Sequence, residues 1–162
     1  MSDNRTWQAR LTATSAPAAV IWIRIYVGVV FLTEGILKFT RPDALGAGRF
    51  DKAGIPAPGF FAPVDGVFEI VCGALILAGL VTRVAVVPMI VDMVGALLIT
   101  KLPIVWGDAP LFARESGFGD FLHEARLDFA QLCGSVFLLL VGAGAWSVDA
   151  RLTAATRAAA SQ

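Results

Sequence analysis

Apolar residues gather along the chain into four long runs that polar segments separate. Each run holds roughly 20 residues, the length that a helix needs to cross the hydrocarbon core of a bilayer. Lipid cannot satisfy bare backbone N–H and C=O groups, so all four runs are predicted to be helices. The predicted spans lie at about residues 17–39, 60–81, 84–102 and 124–145.

The connections between the predicted spans differ in length. Only the short turn VTR joins the second and third spans, which predicts an antiparallel hairpin. The other two connections are long and rich in Gly, Pro and aromatic residues, a composition typical of folded caps or interfacial segments. The sequence therefore predicts an all-α, polytopic membrane protein: an antiparallel four-transmembrane-helix bundle with structured long loops at one end. A polar segment at 1–16 precedes the membrane domain at 17–146, and a surface helix or tail at 147–162 follows it.

Composition supports a membrane location. Of the 162 residues, 57% are hydrophobic and 16% are charged, whereas soluble domains have about 45–50% and about 25%. The 13 Lys and Arg residues balance 13 Asp and Glu residues. The chain therefore has no excess of basic residues that would indicate a nucleic-acid partner. The lipid bilayer is therefore the expected surrounding of the protein, and a homo-oligomer is compatible with the sequence.

Charged residues inside the predicted spans are the most informative feature. A charge at the bilayer centre costs roughly 2.5–3.5 kcal/mol on insertion scales, so such residues usually face the interior of a bundle. At about 100° per residue, the acidic side chains of the second and fourth spans each fall on one arc of their helix. A rise of about 1.5 Å per residue separates the charges into two layers. The layer nearer the termini holds an expected structural ion pair between Arg24 and Asp92.

The second layer is a polar cluster in the half that faces the long loops. Its candidate ligand-binding or proton-handling residues are Glu34, Lys38, Asp65, Glu69, Glu124, Asp128 and Gln131, with Lys101 beside them. Acids outnumber bases there, so some carboxyl groups are expected to share protons. Such a cluster suits proton transfer or the binding of a polar, redox-active head group. It equally suits a static ion-pair network that holds the helices together, and the sequence leaves both interpretations open.

Motifs for metal binding and catalysis are not recognisable in the sequence. HEARLD has Leu127 where a zinc-binding HExxH helix has its second histidine, and His123 is the only histidine in the chain. The two cysteines, Cys72 and Cys133, lack metal-site spacing and are expected to be inert thiols. No residue set for haem, flavin or an iron–sulfur cluster is present. We therefore expect no metal and no covalently bound cofactor, and the sequence names no catalytic residue.

Three stretches resemble the DoxX family of small integral membrane proteins. RIYVGVVFLTEGILKF has the arginine, the spaced glycines and the closing lysine of that family's first span. GIPAPGFFAPVDGVFEIVCGALILAGLVTRVAVVPMIVDM looks like its central hairpin, and LLLVGAGAWSVDARL is similar to its closing GPGRWSLD stretch. The last stretch departs from the family pattern at Ala143, Ala145 and Val148, to which no catalytic role is attached.

The resemblance carries its own implications. It implies a four-helix, multi-pass protein of the bacterial inner membrane with cytoplasmic termini, an orientation that the balance of Lys and Arg between the two faces does not decide. Some family members are subunits of thiosulfate:quinone oxidoreductase, and others are membrane partners in further oxidoreductase assemblies. The positions that match the family are Arg24, Glu34, Lys38, Glu69, Arg83 and Asp128.

Three hypotheses about function follow. The first is a membrane subunit or partner of an oxidoreductase system that binds quinone through the acid and lysine cluster. In that role it is at most a non-catalytic or quinone-interacting subunit, so an enzymatic activity of its own stays undecided. The second is a protein that binds or transports a small molecule through the same polar half-bundle. The third is a membrane scaffold without chemistry of its own.

Overall fold

The computed structural model describes residues 16–160, which form helices and connecting turns and contain no β-strand. The predicted polar segment at 1–16 lies, except for Ala16, outside the described residues. The helices, numbered in chain order, are α1 Val20–Thr40, α2 Pro42–Leu45, α3 Ala47–Lys52, α4 Pro58–Ala78, α5 Thr82–Ala96, α6 Phe118–Val141 and α7 Val148–Ala160. A π-helical segment, Leu97–Lys101, and a 3₁₀ turn, Leu102–Trp106, continue α5. The predicted all-α class is confirmed.

Three stretches are long and apolar enough to cross a membrane. They are Val20–Thr40, Pro58–Ala78 and Thr82–Trp106, each with a mean hydropathy of 1.9. Large apolar side chains on them point outward, among them Trp22 and Val91, which are 70% and 67% exposed. Such exposure is unusual in water but normal against lipid tails. The prediction of a membrane protein with several apolar helices is confirmed.

Helix α6 is the longest α-helix in the described part of the chain, but its composition alone does not mark it as a span. Its first half carries Asp120, Glu124, Arg126 and Asp128, and its second half is apolar. It packs chiefly on α5 and also on α1, and α4 in turn packs on α1 and α5. The four long helices therefore surround a common interior.

Helices α1 and α4 approach closely because glycines face each other across their interface. A Cβ atom added at Gly35 would lie 2.7 Å from the Gly66 carbonyl oxygen, and one added at Gly28 would lie 2.9 Å from the Gly73 carbonyl oxygen. Any larger residue would force the two backbones apart. Close packing of small residues favours helix association in lipid, where the hydrophobic effect does not drive it.

Arg24 does not pair with Asp92, and this corrects the ion pair predicted from the sequence. The Arg24 residue is only 2% exposed. It donates hydrogen bonds to four backbone carbonyl oxygens, those of Ile76, Leu77, Ala143 and Trp146. The end of α4 leaves carbonyl groups without helical partners, and a single arginine carries enough N–H donors to satisfy several of them. The prediction was wrong because it considered only acidic side chains as partners of a buried cation.

Asp149, at the start of α7, holds the turn between α4 and α5. Its carboxylate accepts hydrogen bonds from the Val81 N–H at 2.8 Å and the Thr82 N–H at 3.2 Å. Its own N–H donates to the Gly79 carbonyl oxygen at 2.9 Å. Val81 has a φ of 44°, a conformation that is unfavourable for a β-branched residue. The carboxylate therefore compensates a strained turn and anchors the C-terminal helix to it.

Candidate ligand-binding cavity

A cavity of about 1160 Å³ lies among α1, α3, α4, α5 and α6. All seven of the candidate residues named from the sequence line it, namely Glu34, Lys38, Asp65, Glu69, Glu124, Asp128 and Gln131. Six of these residues are buried or half-buried, whereas Glu34 is exposed. The packing of the helices brings the separate arcs to one space.

The Lys38 ammonium group, at the end of α1, forms the first charged centre of the cavity. Its Nζ lies 2.8 Å from Asp65 Oδ2 and also contacts Glu69 Oε2. Asp65 and Glu69 are one helical turn apart on α4, so both carboxylates point toward the same lysine. Glu69 is 2% exposed, which makes this pairing a buried one.

Asp92 joins this first centre rather than the layer nearer the termini that was predicted for it. Carboxylate oxygens of Asp65, Glu69 and Asp92 all lie within 4.8 Å of one another. The short turn between α4 and α5 sets the register, because Glu69 and Asp92 are about equally far from it along the chain. One buried oxygen of Asp92, Oδ2, has no hydrogen-bond partner among residues 16–160.

The sequence indicated no metal site here. Asp65 and Glu69 lie on α4 and Asp92 lies on α5, and the sequence does not give the register between these two helices. Three carboxylates at this spacing are a donor set that suits a hard cation. The Lys38 ammonium already contacts two of the three and offsets part of their charge.

Lys101 forms the second charged centre of the cavity. Its Nζ lies 3.8 Å from Glu124 Oε2 and 3.9 Å from Asp128 Oδ2, both on α6. It also lies 4.1 Å from the centroid of the Phe112 ring, which belongs to the loop before α6. Two carboxylates one turn apart therefore face one lysine here as well.

Gln131 and Glu34 complete the polar wall of the cavity, Gln131 as a buried residue and Glu34 as an exposed one. The Gln131 side chain is 1% exposed and donates from Nε2 to the Val27 carbonyl oxygen at 3.3 Å, which ties α6 to α1. Its Oε1 has no hydrogen-bond partner in the described part of the protein. Glu34 is exposed, and none of the ion pairs formed within residues 16–160 includes it.

The remaining wall of the cavity is apolar and reaches the outer surface of the protein. Phe61 and Phe68 of α4, Val91 of α5 and Leu127 of α6 line the cavity and are also exposed large apolar side chains. The cavity therefore combines charged groups in its interior with walls that continue onto the lipid-facing surface. A molecule with a polar head and an apolar tail would meet matching surroundings at both ends.

The first charged centre lies in a part of the chain that is similar to a known protein family. The family model DoxX matches residues 19–102, which contain α1 to α5 together with Lys38, Asp65, Glu69 and Asp92. The chain belongs to the DoxX family. The first charged centre of the cavity thus lies wholly within the part that matches the family model.

Two relatives of this DoxX-family protein extend beyond the matched region. "Uncharacterized membrane protein Rv3486" of Mycobacterium tuberculosis is 53% identical over 144 residues, 89% of this chain and 87% of that protein. "Putative oxidoreductase CatD" of Bacillus subtilis is 28% identical over 127 residues, 78% of this chain and 81% of that protein. No solved structure matches the chain.

Sequence reasoning missed three charged residues of the cavity in this DoxX-family protein, namely Arg49, Asp92 and Arg126. Arg49 lines it from the short helix α3, which the sequence pattern did not resolve within the first long loop. Asp92 was assigned to a different layer because depth was counted from the estimated span ends. Glu69 and Asp92 lie at similar numbers of residues before and after the VTR turn. Counting from this turn would have placed Asp92 at the same depth as Glu69.

Proposed function

We propose that this protein is a membrane component of an oxidoreductase system and that its cavity binds quinone. The observation that carries the proposal is the cavity itself, in which two lysine and carboxylate centres adjoin apolar walls open to the lipid-facing surface. The relative of 28% identity, "Putative oxidoreductase CatD", supports the redox context. A soluble or membrane oxidoreductase would then be the partner that supplies electrons.

The residues of the cavity fit a quinone head group. Quinone supplies two-electron redox chemistry when it is bound, and its ring oxygens require hydrogen-bond donors and a source of protons. Lys38 offers N–H donors near Asp65 and Glu69, and the unpartnered Asp92 oxygen can hold a proton beside them. Proton delivery by positioned carboxyl groups is valuable where water is scarce. The apolar walls would receive the isoprenoid tail.

The proposal includes α6 as a fourth span, so that the protein is an antiparallel four-helix bundle in the inner membrane with cytoplasmic termini. The charged first half of α6 contributes Glu124, Asp128 and Gln131 to the cavity, so these groups need not face lipid. Reporter fusions after residue 162 and within residues 53–57 test the arrangement. A cytoplasmic signal at the first position and a periplasmic signal at the second are expected, and the reverse pattern would overturn the orientation.

Quinone retention tests the proposed function. The protein is extracted from bacterial membranes with a mild detergent, and quinone per protein is measured by mass spectrometry. We expect near-stoichiometric quinone in the wild type, a loss of at least about tenfold in Glu69→Gln, and no change in Asp108→Asn, which alters an exposed acid outside the cavity. The proposal would be overturned if the ratio of quinone to co-purified lipid in all three samples equalled the ratio in the bulk membrane.

The same measurement separates function from a static ion-pair network. A Glu69→Gln variant that unfolds more readily, yet retains quinone normally in its folded fraction, would assign Glu69 to stability alone. The melting temperature in detergent is therefore recorded for every sample.

Binding or transport of another small molecule is the second candidate. The cavity exceeds the roughly 300–1,000 Å³ typical of small-molecule pockets, so its size favours a bulky or tailed occupant. Reconstituted vesicles test this alternative: uptake of an amphipathic solute that depends on Glu69 would favour transport over quinone binding. A scaffold without chemistry, alone or as a homo-oligomer, would use the buried charges only as a static ion-pair network and leaves the cavity without a role.

A further inference from the structure

The cavity opens to the lipid-facing surface between α4 and α5. Phe61 and Phe68 of α4 and Val91 of α5 line the cavity and are exposed. Val64 of α4 and Ile99, which follows α5, share both properties. Such side chains on two neighbouring helices form the rim of an opening toward lipid. Every exposed residue that lines the cavity from this helical pair is apolar, so the rim of this opening is apolar.

A second opening lies between α1 and α6, and its rim carries charges. The two helices touch in the half nearer the termini, where Gln131 donates to the Val27 carbonyl oxygen and a Cβ atom added at Gly134 would lie 2.6 Å from Val27 Cγ2. Toward the long loops, Glu34 of α1 and Arg126 of α6 line the cavity and are exposed. Charged groups are costly to bring into contact with hydrocarbon. The two openings therefore differ in chemistry, and the α4–α5 opening is the one that suits an apolar chain.

Gly95 leaves a gap in the rim of the α4–α5 opening. It lies four residues, about one helical turn, from both Val91 and Ile99 and lines the cavity with them. A Cβ atom added at Gly95 would meet no other part of the described chain within 4 Å. The glycines of α1 differ, since a Cβ atom added at Gly28 or Gly35 would collide with α4. The space at Gly95 is therefore not used for packing among the described helices, and it adjoins the cavity.

The charged centre around Lys38 lies directly behind this opening. Asp65 is three residues before Phe68 on α4, and Asp92 is three residues before Gly95 on α5. Positions three residues apart in a helix are neighbours on its surface. Carboxylate oxygens of Asp65 and Asp92 lie within 4.8 Å of each other, so the charged centre bridges the two helices at the level of the opening. A polar head group at Lys38 could therefore extend an attached chain past Phe68 and Gly95 into lipid.

We propose that the ligand enters the cavity from the membrane between α4 and α5, and that its apolar tail stays in this opening beside Gly95. The inference rests on the proposed ligand-binding function of the cavity. It adds the route and the ligand class, a polar head group that carries one hydrocarbon chain. One chain is expected because the rim of the other opening, between α1 and α6, is charged. Gly95 is then a specificity-determining residue, because a side chain at this position would occupy the space of the tail.

Three probes test the proposal on the protein in zwitterionic lipid nanodiscs, with empty nanodiscs as the baseline. 2-Methyl-3-decyl-1,4-naphthoquinone has a tail, and 2-methyl-1,4-naphthoquinone has none. A decyl glycerol ether has the same chain on a head group that is not a quinone. Photoreactive versions of the two tailed probes carry a diazirine in the middle of the chain, and mass spectrometry of cross-linked peptides locates the label. We expect the labels that an excess of unlabelled probe removes to lie on α4 and α5, at Phe61, Phe68 and Val91.

Tryptophan variants locate the tail. Gly95→Trp should weaken binding of the tailed naphthoquinone at least about tenfold, because the indole ring fills the opening, and should change binding of the tailless one less than about twofold. Gly119→Trp is the matched control, because a Cβ atom at Gly119 also meets nothing within 4 Å but Gly119 does not line the cavity. Labelling of the wild type carries the test if Gly95→Trp does not fold. Leu127→Trp fills the α1–α6 opening with the same side chain, and a larger loss in this variant than in Gly95→Trp would overturn the route.

The outcomes separate this inference from the proposed quinone function. If Gly95→Trp binds both naphthoquinones as the wild type does, or if the competed labels lie on α1 and α6, the α4–α5 route is overturned and quinone binding still stands. Labelling of α4 and α5 by the glycerol ether that Gly95→Trp abolishes, without binding of either naphthoquinone, would support the route and overturn the quinone. Labels that added phospholipid removes but unlabelled probe does not would assign the opening to a membrane phospholipid and overturn the route. Absence of binding for all three probes would overturn both proposals.

Discussion

Lys38 Nζ lies 2.8 Å from Asp65 Oδ2, and this ion pair joins the end of the first membrane helix to the first half of the next one. The same ammonium group contacts Glu69, so one cation serves two carboxylates that are one turn apart. An unpaired charge within a membrane helix is costly, and the three side chains are therefore expected to behave as a unit.

Lys38→Met should lower the free energy of unfolding by about 3–5 kcal/mol, because it leaves the buried Glu69 and the half-buried Asp65 carboxylates without their cation. The double variant Lys38→Met/Glu69→Gln should regain part of this loss, since one of the two acids is then neutral. Unfolding in mixed micelles measures both values, with Lys52→Met as an exposed control. An effect no larger than that of Lys52→Met would contradict the buried pairing.

Arg24→Met should destabilise the protein by at least about 3 kcal/mol, because four buried or half-buried carbonyl groups would lose the hydrogen bonds that Arg24 donates. Combination with Asp92→Asn should give additive losses within about 0.5 kcal/mol, since the two side chains do not pair. The exposed Arg41→Met is the control. A coupling energy above about 1 kcal/mol between Arg24 and Asp92 would contradict this prediction and indicate that the two side chains form an ion pair.

Asp149→Asn should cost about 1–2 kcal/mol, because an amide has only one oxygen with which to accept the two N–H bonds at the start of α5. The loss should be local. Hydrogen exchange should accelerate at Val81 and Thr82 and stay unchanged in the middle of α1. Asp108→Asn, an exposed acid of a loop, provides the reference. Uniformly faster exchange along all helices would argue against a local anchoring role.

Gly35→Ala should destabilise the protein by about 1–3 kcal/mol, since the new methyl group would meet the Gly66 carbonyl oxygen at 2.7 Å. Gly95→Ala is the matched variant on α5, where an added Cβ meets nothing within 4 Å. It should stabilise the helix by up to about 1 kcal/mol through propensity alone. Thermal unfolding in detergent compares the two, and equal shifts would show that the α1–α4 interface tolerates separation.

The candidate residues could be found from sequence because each lies on a definite face of a predictable helix. Asp65 and Glu69 share an arc on α4, and Glu124, Asp128 and Gln131 share one on α6, and both arcs line the cavity. Their partners were harder to find. Lys38 contacts Asp65 and Glu69, whereas Lys101 serves Glu124 and Asp128, a division that depends on which helices are neighbours.

The sequence by itself determined the helical class, the membrane location and the inward faces of the helices, because apolar length and helical period are local properties of the chain. Only the tertiary structure decided that Arg24 binds helix-end carbonyls, that Asp92 lies beside Glu69, and that Arg49 reaches the cavity from the short helix α3. These contacts join residues that are far apart in the chain. They depend on the register set by the α4–α5 turn and on the close approach of α1 and α4, which no local pattern records.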